Sequence, residues 1–194
     1  MIKTVCIFCG SSPSVDSAFL DAAAETGKLL ALSGIHVKYG CGAAGLMGAM
    51  AKGVLDNKGK ITGIIPAFMV DMGWSNSNIS TTLVTHDMRE RKRLMISNVD
   101  AVIALPGGIG TLEELMEVIT LKQLGRFNKP IIILNTQDFY NNLLVFLDDM
   151  VNKQFMREIH KKLWTVVDSP SEIISAILDN TGWNPDEIKY ATNI

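Results

Sequence analysis

Three glycine-rich stretches, each following an apolar run, hold the residues best suited to chemistry: Gly10-Ser11-Ser12, Gly40 to Gly45, and Pro106-Gly107-Gly108-Ile109-Gly110-Thr111. A strand that ends in glycines and passes into a helix gathers free backbone N–H groups at the positive end of the helix dipole, a seat for an anion such as phosphate. In the third stretch Gly107, Gly108 and Gly110 let the backbone approach an anion closely, and Thr111 is expected to cap the following helix. Thr111-Leu112-Glu113-Glu114 also has the form of a capping box, with Glu114 reaching back to the helix start. On that plainer reading the glycines only make a tight turn. Either way Glu113 and Glu114 should fall in the first helical turn, where two carboxylates repel a phosphate, so at least one is expected to point away, toward a sugar.

Gly40-x-Gly42-x-x-Gly45 matches the dinucleotide-binding fingerprint, which makes a nicotinamide-dependent oxidoreductase the natural rival. The acidic ribose partner expected about 20 residues on is missing, because the next strand ends Gly63-Ile64-Ile65-Pro66. Gly42 and Gly45 stay candidates for a phosphate or ribose contact. Met88-Arg89-Glu90-Arg91-Lys92-Arg93-Leu94-Met95 places four cations in the first turns of an expected helix, where the dipole disfavours them. A bound anion could offset that. The alternative is a solvated basic face helped by an Asp87–Arg91 pair at i,i+4, with the flanking methionines in the core.

Cys6 and Cys9 sit three apart in an expected strand and so face opposite sides, unlike a thioredoxin pair at a helix start. His36, His86 and His160 lie far apart without ligand or triad spacing, so neither a metal site nor a serine triad is indicated. Three cysteines in 194 residues fit a reducing, cytoplasmic setting rather than a disulfide scaffold. Eighteen Lys and Arg against twenty Asp and Glu give a net charge of -2, which argues against nucleic acid as the main partner. No window approaches a membrane-spanning length of about 20 apolar residues.

These groups must be positioned by alternating elements. The apolar runs Ile2 to Phe8, Ile35 to Tyr39, Ile61 to Ile65, Thr82 to Thr85, Ala101 to Leu105, Pro130 to Leu134 and Trp164 to Val167 read as strands. Helical periodicity covers Phe19 to Leu32, Leu46 to Leu55, Met88 to Asn98, Thr111 to Leu124, Phe139 to Val151, a basic stretch Phe155 to Lys162, and Ser171 to Leu178. Pro66 to Ser80, with exposed-looking Met69, Met72 and Trp74, is longer than most loops, as a segment covering a site would be. Strand-helix alternation predicts an α/β fold: one domain spanning residues 1–194, with a Rossmann-like, doubly wound parallel sheet and helices on both faces.

Taken together, Pro106-Gly107-Gly108-x-Gly110-Thr111-x-x-Glu114 and Met88-x-x-Arg91-Lys92-x-x-Met95 resemble the two signature motifs of the LOG ("lonely guy") family. Cys6 to Ser12 is similar to that family's N-terminal strand and turn, and Gly45-Leu46-Met47-Gly48 to its second turn. The resemblance implies a cytokinin riboside 5'-monophosphate phosphoribohydrolase, with Arg91 and Glu114 as the catalytic pair. It places Lys92, Gly108, Ile109, Gly110, Thr111, Leu112, Glu113 and Thr120 around the substrate. Members are often labelled lysine decarboxylases, but decarboxylation needs an electron sink such as pyridoxal phosphate, and no site for one is apparent. No cofactor is therefore expected. Cys41 replaces a glycine usual in the family, Arg89 stands where histidine is common, and the 66–80 segment looks unlike the plant members. These departures bear on substrate preference more than on reaction type.

Cleavage of a ribosyl C–N bond builds positive charge on the sugar and negative charge on the departing base. Glu114 is expected to stabilise the sugar cation and activate water, and Arg91 to neutralise the leaving purine. The phosphate, held on the Gly107–Thr111 turn, acts as a handle that orients the sugar. A nucleoside monophosphate is the expected small-molecule partner, and the resemblance implies a homodimer. A nucleotide-binding or sensing domain without catalysis is the alternative.

Overall fold

Ile131-Ile132-Ile133-Leu134 and Ala101-Val102-Ile103-Ala104 are apolar at every position, so as strands they must be covered on both faces. The computed structural model, which describes residues 1–179 and Trp183, meets that demand, and every residue of both runs is buried. The parallel sheet contains β1 (Thr4–Phe8), β2 (His36–Tyr39), β3 (Ile61–Pro66), β4 (Thr82–Thr85), β5 (Ala101–Ala104), β6 (Ile131–Leu134) and β7 (Thr165–Val167). Their order across it is β4-β3-β2-β1-β5-β6-β7.

The connecting helices are α1 (Ser17–Leu32), α2 (Gly45–Asp56), α3 (Ala67–Asp71), α4 (Met88–Ile96), α5 (Ile109–Gln123), α6 (Asn141–Asn152) and α7 (Ile173–Leu178). Val5 and Ile7 of β1 pack with Leu30, Met50 and Ile173 on one face. Cys6 and Phe8 pack with Met95, Leu115 and Val118 on the other. The pleat thus sends alternate residues of β1 into two separate cores, with α1, α2 and α7 over one and α4 and α5 over the other. Cys9, just past the strand, joins the first core. All three cysteines are free and buried.

From β1 the chain winds outward through β2, β3 and β4, then crosses back to lay β5 on the far side of β1. Such a reversal opens a crevice beyond the strands' carboxyl ends, the usual ligand position in this architecture. Here the Gly10 N–H donates to the Pro106 carbonyl at 3.0 Å, so two of the glycine-rich turns touch at the switch point.

Several boundaries differ from the sequence reading. The 66–80 segment is not a plain loop: it opens with α3, and its Ser75 bridges Gly42 in antiparallel fashion. The basic stretch 155–162 is a 3₁₀ turn over Glu158–Leu163 rather than an α-helix. The last helix is short and preceded by a 3₁₀ turn at Pro170–Glu172. Among the described residues no helix is long and apolar enough to cross a membrane.

Candidate functional site

The turn after β5 differs most from expectation. Thr111 does not cap α5: the helix begins at Ile109 with Gly108 as its N-cap and no side-chain cap at all. Glu113 and Glu114 therefore lie beyond the first turn, and the capping box does not form. The reason is steric. Thr111 is buried against Gly107, where an added Cβ would come within 2.2 Å of its Oγ1, so the threonine closes the turn from inside. Gly108 and Gly110 are different: nothing lies within 4 Å of a Cβ built on either, and neither has positive φ. Folding does not require them to be glycine. They face open space at an uncapped helix N-terminus, as a backbone meant to approach an anion should.

The other two turns are packed together. Gly45 has φ 58°, and a Cβ there would meet the Ser11 and Ser12 backbone at 2.5 Å. The Met47 N–H at the start of α2 donates to the Gly10 carbonyl at 3.2 Å. The dipole end of α2 is thus partly satisfied by the neighbouring loop, which leaves the start of α5 the more open of the two.

On α4, Asp87 accepts from the Glu90 N–H at 2.8 Å as N-cap, and the Glu90 carboxylate accepts from the His86 N–H. The expected Asp87–Arg91 pair is replaced by this cap, which itself offsets the cost of cations near a helix start. Arg91 turns inward instead of joining a solvated face and is only 7% exposed. Its Nε donates to the Ile64 carbonyl at 3.1 Å, and its Nη1 to Glu114 Oε1 at 3.0 Å. Its Nη2 lies over Gly40, where a Cβ would be 2.2 Å away, so a side chain there would displace the guanidinium from this position. Lys38 of β2 anchors the far end of α4, its Nζ donating to the Ser97 carbonyl at 2.7 Å.

Glu114 projects from the second turn of α5 and is 8% exposed. Burial pushes its carboxyl above the usual carboxylate range, while the Arg91 guanidinium opposes that shift. Lys92 points the other way. Its ammonium pairs with Glu113 and, at 3.1 Å, with Glu117, and these partners hold its pKa up. The ion pairs tie α4 to α5 next to Arg91 and Glu114.

A cavity of about 490 Å³ opens above Arg91, walled by Ser11, Gly40, Gly42, Met47, Ile65, Met69 and Trp74. A second, of about 320 Å³, lies on the other side of the Ser11 loop, between Gly10, Gly107 and Gly108 and the apolar side chains of Val15, Phe19 and Phe139. The 66–80 segment thus supplies a wall of the first cavity.

Of the sequence candidates, Gly10, Ser11, Ser12, Gly42, Gly107 and Gly108 line one or both cavities, and Arg91 and Glu114 meet beneath them. Ile109, 82% exposed, and Gly110 stand at the open start of α5, whereas Leu112 packs toward the second core. Thr120 is not brought to this cluster: it is exposed on α5, its hydroxyl donating to the Met116 carbonyl. Met47 was not legible as a cavity residue, and Met69 and Trp74 only as part of a segment that could cover a site. For those two the signal was the length and exposed apolar character of the 66–80 segment. Among the described residues no His, Cys, Asp or Glu cluster could hold a metal ion.

Comparison with known proteins places the chain in a lineage. A family model described as "Possible lysine decarboxylase" matches residues 47–177. The rice (Oryza sativa subsp. japonica) protein named "Probable cytokinin riboside 5'-monophosphate phosphoribohydrolase LOG4" is 37% identical over 92% of this chain and 77% of its own length. Cytokinin riboside 5'-monophosphate phosphoribohydrolase LOG3 of Arabidopsis thaliana is 37% identical over 90% of this chain and 81% of its own length. Among solved structures, the molybdenum cofactor binding protein of Rippkaea orientalis superposes with TM-score 0.70 at 22% identity, covering 92% of this chain and 96% of that one. The molybdenum cofactor carrier protein of Chlamydomonas reinhardtii gives TM-score 0.70 at 19% identity, over 93% and 98%. Those two likenesses establish the Rossmann-like fold and nothing about ligands. With the family model matching more than half of the chain and relatives 37% identical over nine tenths of it, the chain belongs to the LOG family of phosphoribohydrolases.

Proposed function

We propose that this chain is a single-domain hydrolase that cleaves the N-glycosidic bond of adenosine 5'-monophosphate, plain or N6-modified, releasing the free base and ribose 5-phosphate. The observation that carries the reading is the buried Arg91–Glu114 pair, which lies beneath a cavity and close to an uncapped helix N-terminus. Each charge that develops in the reaction has a partner there.

The monophosphate sits on the backbone N–H groups of Gly108 to Thr111, where Gly108 and Gly110 let it come close. That contact is remote from the bond being broken, so its binding energy serves to orient the sugar. Glu114 faces the anomeric carbon, stabilises the oxocarbenium-like cation and takes a proton from the attacking water. The water oxygen bonds to the anomeric carbon as the C–N bond breaks. The bond pair leaves with the purine, which Arg91 steadies until it is protonated. Lys92, held by Glu113 and Glu117, keeps α4 and α5 in register around the pair.

We also propose a homodimer in a reducing, cytoplasmic setting. The half- to fully exposed Val145, Phe146 and Phe155 support an apolar contact surface, and the three free thiols support the compartment. Sedimentation at micromolar concentration reads the oligomeric state. The function itself is tested by incubating purified protein with AMP and N6-substituted AMPs and measuring free base and ribose 5-phosphate. Stoichiometric release of both is expected, with adenosine a much poorer substrate for want of the phosphate handle. A nucleotide-binding domain without catalysis releases neither.

A further inference from the structure

Trp74 stands out in the wall of the Arg91 cavity as its one aromatic side chain among the described residues. A tryptophan usually buries most of its large ring, yet this one is 53% exposed and packs against no other ring among the described residues. Its backbone is held firmly all the same. The Trp74 N–H donates to the Met69 carbonyl at 3.1 Å, and Ser75 bridges Gly42. Next in line, the Asn76 N–H donates to the Cys41 carbonyl at 2.8 Å, and its buried side chain donates to the Tyr39 hydroxyl at 3.0 Å. A segment so tightly pinned on both sides, with a half-bare indole between the pins, is built to offer that ring to something else.

The surroundings indicate what. Arg91 lies on the cavity floor, and the walls beside Trp74 are Met47, Met69 and Ile65, polarizable or aliphatic surfaces suited to a flat, weakly polar ring. We infer that Trp74 is a specificity-determining residue whose indole stacks on the purine base of the nucleotide, fixing the base over Arg91 while the phosphate is held at α5. The inference rests on the proposed nucleotide substrate and adds the element that recognises the base. Stacking on an aromatic side chain contributes enough per base to govern affinity for the nucleotide over its sugar-phosphate fragment.

The test titrates the full chain with AMP and with ribose 5-phosphate, which keeps the phosphate and sugar but lacks the base. In the native protein AMP should quench tryptophan fluorescence saturably, and ribose 5-phosphate should not. By calorimetry W74A should weaken AMP binding by about tenfold or more. Its affinity for ribose 5-phosphate should stay within about twofold, and W74F should recover most of the AMP affinity. An unchanged melting temperature in W74F and W74A guards against a folding defect. Equal losses for the two ligands, or undiminished AMP affinity in W74A, would overturn the assignment. Quenching and selective loss without any release of free base would leave the stacking role standing and sink the hydrolase reading. Failure of the native chain to bind AMP would sink both.

Discussion

Arg91 on α4 and Glu114 on α5 meet through Nη1 and Oε1 at 3.0 Å, with less than a tenth of either residue exposed to solvent. Each is the other's counterion in a place where an unpaired charge is costly. Glu114→Gln keeps the shape and an acceptor for Arg91 but removes the negative charge. Turnover at saturating AMP should fall by about a hundredfold or more while the protein still folds. Product release, read beside a thermal melt, separates that outcome from a purely structural role, in which turnover would barely change.

Burial sets the acid limb of the pH profile. A general base works when ionised, and the Glu114 carboxyl is raised by burial, so kcat/KM should decline as pH falls through a value above the ~4.3 of an ordinary glutamate. Arg91 opposes the shift, so Arg91→Met should move the limb to still higher pH along with lowering the plateau. A limb at the ordinary value in both proteins would remove Glu114 as the base.

Gly107 and Gly108 should respond to alanine in opposite ways. Gly107→Ala drives a Cβ to within 2.2 Å of Thr111 Oγ1 and 2.8 Å of the Gly10 nitrogen, and should cost about 2 kcal/mol or more of stability. Gly108→Ala meets nothing within 4 Å, so its melting temperature should be near that of the native protein. Its affinity for both AMP and ribose 5-phosphate should nevertheless drop, because the added methyl occupies the phosphate's approach. Calorimetry and thermal unfolding on the two variants check this.

Lys122, near the end of α5, is 2% exposed and its ammonium has no hydrogen-bond partner among the described residues. Burial pulls its pKa from 10.5 down to about 8. Below pH 8 the ammonium is charged in both folded and unfolded chains, and the desolvation cost is fully present. As pH rises from 8 toward 10.5 the folded chain gives up the proton first, and the cost is relieved. Lys122→Met should therefore raise the unfolding free energy at pH 7 by ~2 kcal/mol, a gain that shrinks toward pH 10.5. Denaturant melts at pH 7 and pH 10 read the difference.

The sheet was readable in the chain because each strand is a short β-branched or apolar run bounded by glycine, proline or polar turns, and the 131–134 and 101–104 runs could only be central strands. The motif residues were readable too, but not their geometry. Whether Thr111 caps α5 or closes the turn from inside depends on where Gly107 sits beneath it, and Gly107 lies against Gly10 of a distant segment. Arg91 reads as one cation among four on a basic helix, and only the Ile64 carbonyl, the space over Gly40 and the Glu114 carboxylate turn it inward. Trp74 could not be assigned because its place depends on Cys41 and Tyr39 holding the neighbouring Asn76.

The hydrogen bond from the Gly10 amide to the Pro106 carbonyl has a consequence for how the molecule comes into being. A nascent chain that has emerged only through β4 already contains Met47, Met69 and Trp74. It still lacks α5, and with it the open helix start and the Glu114 carboxylate of the proposed site. Both arrive together when β5 inserts beside β1, a pairing between residues far apart along the polypeptide and therefore slow to close. The two halves of the crevice therefore come from segments on either side of β4 and are joined by the β1–β5 pairing.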